Sequence, residues 1–176
     1  IWTTWAAYKA KIDEEKVYEF AKQIHDRGYE ASYIEIDDMW TPKYGMLSFD
    51  EKKFPDAAGL VGKIKAMGYK VSLWIPPFVN FDTSAFNNGR KAKAFVGSKD
   101  EEVEYPPKIG WWTSAGLPIA GIIDFTGEAG WNWWSGEVKN IVDTYGVDGF
   151  KYDAGETQFL PKDALFASPV PENSYP

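Results

Sequence analysis

The sequence contains no cysteine, so disulfides and thiol chemistry are excluded. It has a single histidine, His25, off the apolar stripe of its own segment, which reads as solvated and argues against a histidine triad or a histidine-built metal centre. It has no cluster of Lys and Arg, and the formal net charge is −7. That speaks against nucleic acid as a partner, because phosphates need cations. No apolar run approaches the roughly 20 residues that span a bilayer, so no membrane contact is expected from this segment. There is no Asn-x-Ser/Thr acceptor. No charged-then-apolar leader precedes Ile1-Trp2-Thr3-Thr4-Trp5, and the chain reads as cut from something longer.

What is abundant is aromatic side chain, at 17% of 176 residues. The rings suit a large aromatic core, and some also suit a sugar site, where a flat apolar face with a polar edge is useful. Apolar periodicity sets out the elements. Ile1 to Tyr8 reads as a strand running into a loop. Asp13 caps a helix carrying Val17, Phe20, Ala21 and Ile24, stopped by Gly28. Tyr33 to Asp37 is a second strand. A second helix follows Pro55-Asp56, with Ala57, Leu60, Val61 and Ile64 on one face and Gly68 at its end. Val71 to Ile75 is a third strand, closed by Pro76-Pro77. Residues 78–126 form a long insertion with a short helix over Ser84 to Val96. Trp134, Val138, Ile141, Val142 and Tyr145 mark a further helix, and the tail from Thr157, rich in proline, reads as irregular.

Such alternation implies α/β architecture with a parallel sheet and right-handed crossovers. A doubly wound sheet buries both strand faces and reads as almost wholly apolar. Here Glu35, Asp37, Lys151 and Asp153 occupy one face of two strands, and no glycine-rich phosphate loop follows the first strand. The expected fold is therefore the amino-terminal half, about four strands, of a (β/α)8 TIM barrel. The expected domain is the whole of 1–176, a partial barrel with the insertion inside it and two open sheet edges.

The stretch Gly149-Phe150-Lys151-Tyr152-Asp153-Ala154-Gly155-Glu156 begins as a strand and ends as a loop. Alternation places Phe150 and Tyr152 on one face and Lys151 and Asp153 on the other. Charges at the carboxyl end of an inward strand face resemble the rim of a barrel enzyme. Asp153 reads as a reacting carboxylate with Lys151 as electrostatic neighbour, or the two form an ion pair that holds the rim. Asp37 reads as a second rim carboxylate or as a cap for its loop. Glu35, deeper, reads as a structural partner of Lys151 or of a backbone group. Trp74 suits a ligand platform or the core. Asp124 suits a cap or turn, and Glu156 suits loop amides. A cup of carboxylates, a ring and an ammonium fits a polyhydroxylated ligand. In glycoside cleavage one carboxylate attacks or shields an oxocarbenium-like centre while a second carboxyl protonates the leaving oxygen. Two other readings are a sugar-binding or scaffolding protein without turnover, and a metal-dependent barrel enzyme with Asp37, Asp38, Asp153 and Glu156 as oxygen ligands.

Five pieces occur in one order over nearly the whole chain: Ile1-Trp2-Thr3-Thr4-Trp5-Ala6, Ile34-Glu35-Ile36-Asp37-Asp38-Met39-Trp40, Leu73-Trp74-Ile75-Pro76-Pro77-Phe78, Asp124-Phe125-Thr126, and Gly149 through Glu156. Together they resemble glycoside hydrolase family 31, and most closely a branch associated with α-galactosides; the wider family acts mostly on α-glucosides. The resemblance implies a retaining α-glycosidase with Asp153 in the nucleophile's position. It implies that Asp37, Trp74 and Lys151, with Asp38 and Trp40 of the same motif, bind the sugar, joined by Trp111, Trp112 or both from the insertion. It implies a glycoside or oligosaccharide substrate, no cofactor, and a secretory or extracellular setting. The family's acid/base aspartate and a substrate-binding arginine come from later strands, beyond Pro176. The chain alone is thus expected to be inactive, with the remaining half of the barrel, from the same or another chain, as its partner. Gly127-Glu128 stands where the family usually has Asn-Pro, a departure at a turn.

Overall fold

The computed structural model describes residues 1–112 and 118–171. The first part of the chain carries β1 (Trp2–Thr3), α1 (Thr4–Tyr8), α2 (Glu14–Asp26), β2 (Tyr33–Ile36), α3 (Ala57–Ala66) and β3 (Lys70–Ile75). Then come β4 (Phe78–Asn80), α4 (Ser84–Lys91), β5 (Gly97–Ser98), β6 (Ile109–Gly110) and β7 (Ile119–Ile122). The chain continues with α5 (Glu128–Tyr145), β8 (Gly149–Tyr152), a 3-10 turn over Thr157–Phe159 and β9 (Ala164–Leu165). Two compact units divide these elements. One comprises 1–42, 47–75 and 139–153; the other comprises 43–46, 76–138 and 154–176.

The first unit is built on a four-stranded sheet in the order β1-β2-β3-β8, every neighbour parallel. Its helices start where the sequence supplies an acceptor: Asp13 Oδ1 accepts from Lys16 N at 2.9 Å, and Asp56 Oδ1 from Gly59 N at 3.1 Å. Strand alternation sorts the side chains. Ile34, Ile36, Val71, Leu73 and Ile75 are all within 1% of full burial, and with Val17, Ala21, Leu60 and Ile64 from α2 and α3 they make the apolar core. Thr3, Glu35, Asp37, Ser72, Trp74 and Lys151 fall at the alternate positions. Register aligns them: Thr3 pairs with Glu35, Glu35 with Ser72, and Trp74 with Lys151. The opening segment differs from a simple strand and loop. Thr3 ends β1 and its Oγ1 accepts from Trp5 N at 3.2 Å, capping the short helix α1. At the other edge, among the described residues, β8 pairs with β3 alone, and Tyr152 is 69% exposed.

The second unit has its own antiparallel sheet in the order β4-β7-β6, and a separate pairing of β5 with β9. The chain therefore re-enters a strand directly after Pro76-Pro77. The tail from Thr157 is correspondingly more regular than its prolines suggest, since it holds the 3-10 turn and β9. The helix expected over Ser84 to Val96 ends at Lys91, and Phe95 and Val96 hydrogen-bond within the sheet region instead. Rings fill this unit's core: Phe81 stacks on Phe86 at 4.0 Å and Phe78 on Trp111 at 3.8 Å between centroids. Tyr44 and Phe159 meet Trp111 edge-on.

The start of α5 depends on a close backbone approach. A Cβ at Gly130 would lie 2.0 Å from the carbonyl oxygen of Asp124 and 3.0 Å from that of Ala94. Both obstacles are backbone, so neither can rotate away. Gly130→Ala is expected to lower unfolding free energy by about 3 kcal/mol, read from urea denaturation of both proteins.

Candidate active site

Parallel strands deliver their carboxyl ends to one side of a sheet, so residues at those ends meet there. Lys151 Nζ lies 2.9 Å from Asp37 Oδ2, 3.5 Å from Asp153 Oδ2 and 3.6 Å from Glu35 Oε1. Two strands that are not neighbours in the sheet, β2 and β8, are thus joined on one face by one ammonium reaching across β3. Trp74, on β3 between them, donates its indole N–H to Asp153 Oδ2 at 2.7 Å. Thr3 Oγ1 donates to Glu35 Oε1 at 3.0 Å and lies 3.4 Å from Asp37 Oδ2. Asp37 is 2% exposed. Asp38 N also donates to Asp37 Oδ1 at 2.7 Å, and Asp37 N donates to Thr4 Oγ1 at 3.0 Å. The Asp153 side chain, in contrast, is 45% exposed. The cup has a buried carboxylate at its floor and an accessible one at its rim.

Electrostatics follow this arrangement. Burial works against the charge on Lys151, but the hydrogen bond and charge of Asp37, with Glu35 and Asp153, outweigh it and raise the ammonium's pKa above its usual value. Glu35 is raised to about 7, first by burial and then by its hydrogen bond to Asp37; Thr3 and Lys151 pull the other way. Above its ordinary value of 4.5 the unfolded chain has released this proton while the folded protein keeps it. Stability is therefore expected to fall as pH rises from about 4.5 through about 7, then to level off. Urea midpoints across that range should show the slope in the wild type and a flatter one in Glu35→Gln.

The other residues singled out from sequence take different places. Trp40 is 1% exposed, with its indole N–H on the Trp74 carbonyl at 2.7 Å, so its ring is core and its polar edge supports β3. Trp74 itself is 7% exposed, held by both ends. Asp38 is buried, and its charge acts on Lys53, whose ammonium donates to the Met39 carbonyl. Trp111 and Trp112 belong to the second unit, where Trp111 is 8% and Trp112 is 56% exposed. Asp124 fixes a turn, accepting from Thr126 N at 2.9 Å and from Ala167 N at 2.7 Å. His25 is exposed. Among the described residues no group of three or more His, Asp and Glu side chains is arranged to hold a metal ion. Thr3 is also a member of the cup, and in the sequence its only signal is its position on an inward strand face.

Residues 1–174 match the model of the glycosyl hydrolases family 31 TIM-barrel domain. The chain is 37% identical over 174 residues to the mouse (Mus musculus) myogenesis-regulating glycosidase, covering 99% of this chain and 24% of that protein. It is 30% identical over 158 residues to an α-xylosidase of Emericella nidulans, covering 89% of this chain and 19% of that enzyme. Among solved structures, a family 31 α-xylosidase from a soil metagenome, complexed with xylose, superposes with a TM-score of 0.75 at 19% identity, covering 88% of this chain and 22% of that one. The chain thus spans about a quarter or less of the length of these relatives. The four parallel strands with their intervening helices are part of a TIM barrel, and the chain belongs to glycoside hydrolase family 31.

Proposed function

We propose that this chain carries the nucleophile-bearing part of a retaining α-glycosidase. The observation that supports it most is the bridge from Lys151 to both Asp37 and Asp153, which puts the carboxyl ends of β2 and β8 around one cup. Asp153 is the nucleophile: it is accessible, it is oriented by the Trp74 N–H, and the Lys151 ammonium lies 3.5 Å from its Oδ2. An Asp153 oxygen bonds to the anomeric carbon as the bond from that carbon to the leaving oxygen breaks. A carboxylic acid from outside these residues gives its proton to the leaving oxygen, then takes one from the water that cleaves the glycosyl-enzyme. Two displacements restore the starting configuration. Asp37 and Lys151 hold sugar hydroxyls, with Trp74 as a flanking ring and Asp38 and Trp40 supporting them. Residues 1–176 are then a partial barrel that needs the remaining strands to turn over. The substrate is an α-glycoside; α-galactoside, α-glucoside and α-xyloside are the candidates.

The test is hydrolysis of p-nitrophenyl α-galactoside, α-glucoside and α-xyloside by the full-length protein, with the first-formed sugar anomer followed by proton NMR. Release of the α-anomer is expected. Release of the β-anomer, or no hydrolysis of any of them, would remove the proposal. Binding of the free sugars without turnover would favour the sugar-binding reading instead.

A further inference from the structure

The cup holds one ionisable group that this mechanism leaves idle. Glu35 is 7% exposed and lies two residues before Asp37 on the same face of β2. The groups around it come from every neighbouring strand. Asp37 comes from the end of β2, Lys151 and Asp153 from β8 and its end, and the uncharged Thr3, Ser72 and Trp74 from β1 and β3. Tyr33 occupies the next position down on the same face, with Lys70 Nζ 5.6 Å from its ring centre. Three carboxylates thus converge on one ammonium, at 2.9, 3.5 and 3.6 Å. Carboxylates that share a site do not all ionise together; one keeps its proton. Asp37 holds the shortest contact with the ammonium, and Asp153 is open to water. Glu35 is buried, is farthest from the ammonium, and has the neutral Thr3 hydroxyl as its other partner.

We propose that Glu35 is a positioning residue held as a neutral acid: it keeps its proton and donates it in a hydrogen bond to Asp37, and the ammonium of Lys151 is left poised between Asp37 and Asp153. Loss of that proton adds a third anion 3.6 Å from Lys151 Nζ. The ammonium is drawn toward β2 and away from Asp153. Burial places this change near neutral pH. The consequence for turnover rests on the glycosidase reading; the consequence for the cup does not.

The Trp74 indole N–H, 2.7 Å from Asp153 Oδ2, reports the change without any substrate. In the full-length protein with nitrogen-15-labelled tryptophan, its resonance should shift between about pH 6 and about pH 8 in the wild type and stay flat in Glu35→Gln. If the glutamine variant does not fold, carbon-13 labelling of the wild-type glutamate carboxyls gives the same answer. The Glu35 carboxyl, assigned through its own backbone, should titrate in step with the Trp74 signal. A Trp74 resonance that stays still, one that moves equally in Glu35→Gln, or a Glu35 carboxyl titrating in the ordinary glutamate range overturns the proposal. Where the protein is a glycosidase, kcat/KM should also fall about fivefold over the first unit of pH above the midpoint, and not in Glu35→Gln. The titration without any glycosidase turnover would remove the function reading and keep Glu35's place in the cup. Turnover without the titration would do the reverse.

Discussion

Asp153→Asn in the full-length protein is expected to reduce turnover of an α-glycoside by about 10³-fold or more while leaving the fold intact. The amide oxygen can still accept the Trp74 N–H, so the side chain keeps its orientation. What it loses is the negative charge that bonds to the anomeric carbon. Because the Asp153 side chain is 45% exposed, removing its charge leaves little strain behind, and the thermal midpoint should move by only a degree or two, as for a surface change. A structural ion pair would behave differently: stability would fall and turnover would fall only in proportion. Asp153→Gly offers a second check. Azide can enter the space vacated and attack the same face of the sugar, and the product should then be the β-glycosyl azide.

Lys151→Met is expected to lower both stability and turnover. The Asp37 side chain is 3% exposed and has Lys151 as its cation at 2.9 Å. Removing the ammonium strands a buried carboxylate beside Glu35, and fully buried pairs broken in this way cost about 3–5 kcal/mol. Lys151 itself is 38% exposed, so water can partly replace it, and a loss of about 2 kcal/mol is the better expectation. Turnover should fall about 100-fold as the cup loses the group that aligns its two carboxylates. Lys151→Arg keeps the charge but not the shape, and should recover most of the stability and little of the rate. Equal recovery of both would assign Lys151 to the fold alone.

The charged half of this cup could be read from sequence because strand alternation is strict. Ile34 and Ile36 could only be core if Glu35 and Asp37 faced away, and the same alternation puts Lys151 and Asp153 on the face opposite Phe150 and Tyr152, although Tyr152 is 69% exposed. The order of the parallel strands followed from the helices between them. Three things were not legible. Thr3 carries no charge, and nothing in its neighbours distinguishes a capping hydroxyl from one that also reaches Glu35. The paired segments β5 and β9 are two residues each and far apart in the chain, too short for any period to show. Aromatic identity did not separate core from surface. Trp40 and Trp111 are buried, yet Trp112, beside one of them, is 56% exposed, because burial of a ring depends on what folds over it.

The most direct test of Asp153 as nucleophile is covalent trapping. The full-length protein is treated with 5-fluoro-α-glycosyl fluorides of the galacto, gluco and xylo series, whose ring fluorine slows hydrolysis of the glycosyl-enzyme. The digest is then sequenced by mass spectrometry. The expected result is a single added sugar on Asp153, absent from Asp153→Asn. A sugar attached to Asp37 or to any other carboxylate, with Asp153 unmodified, would contradict it.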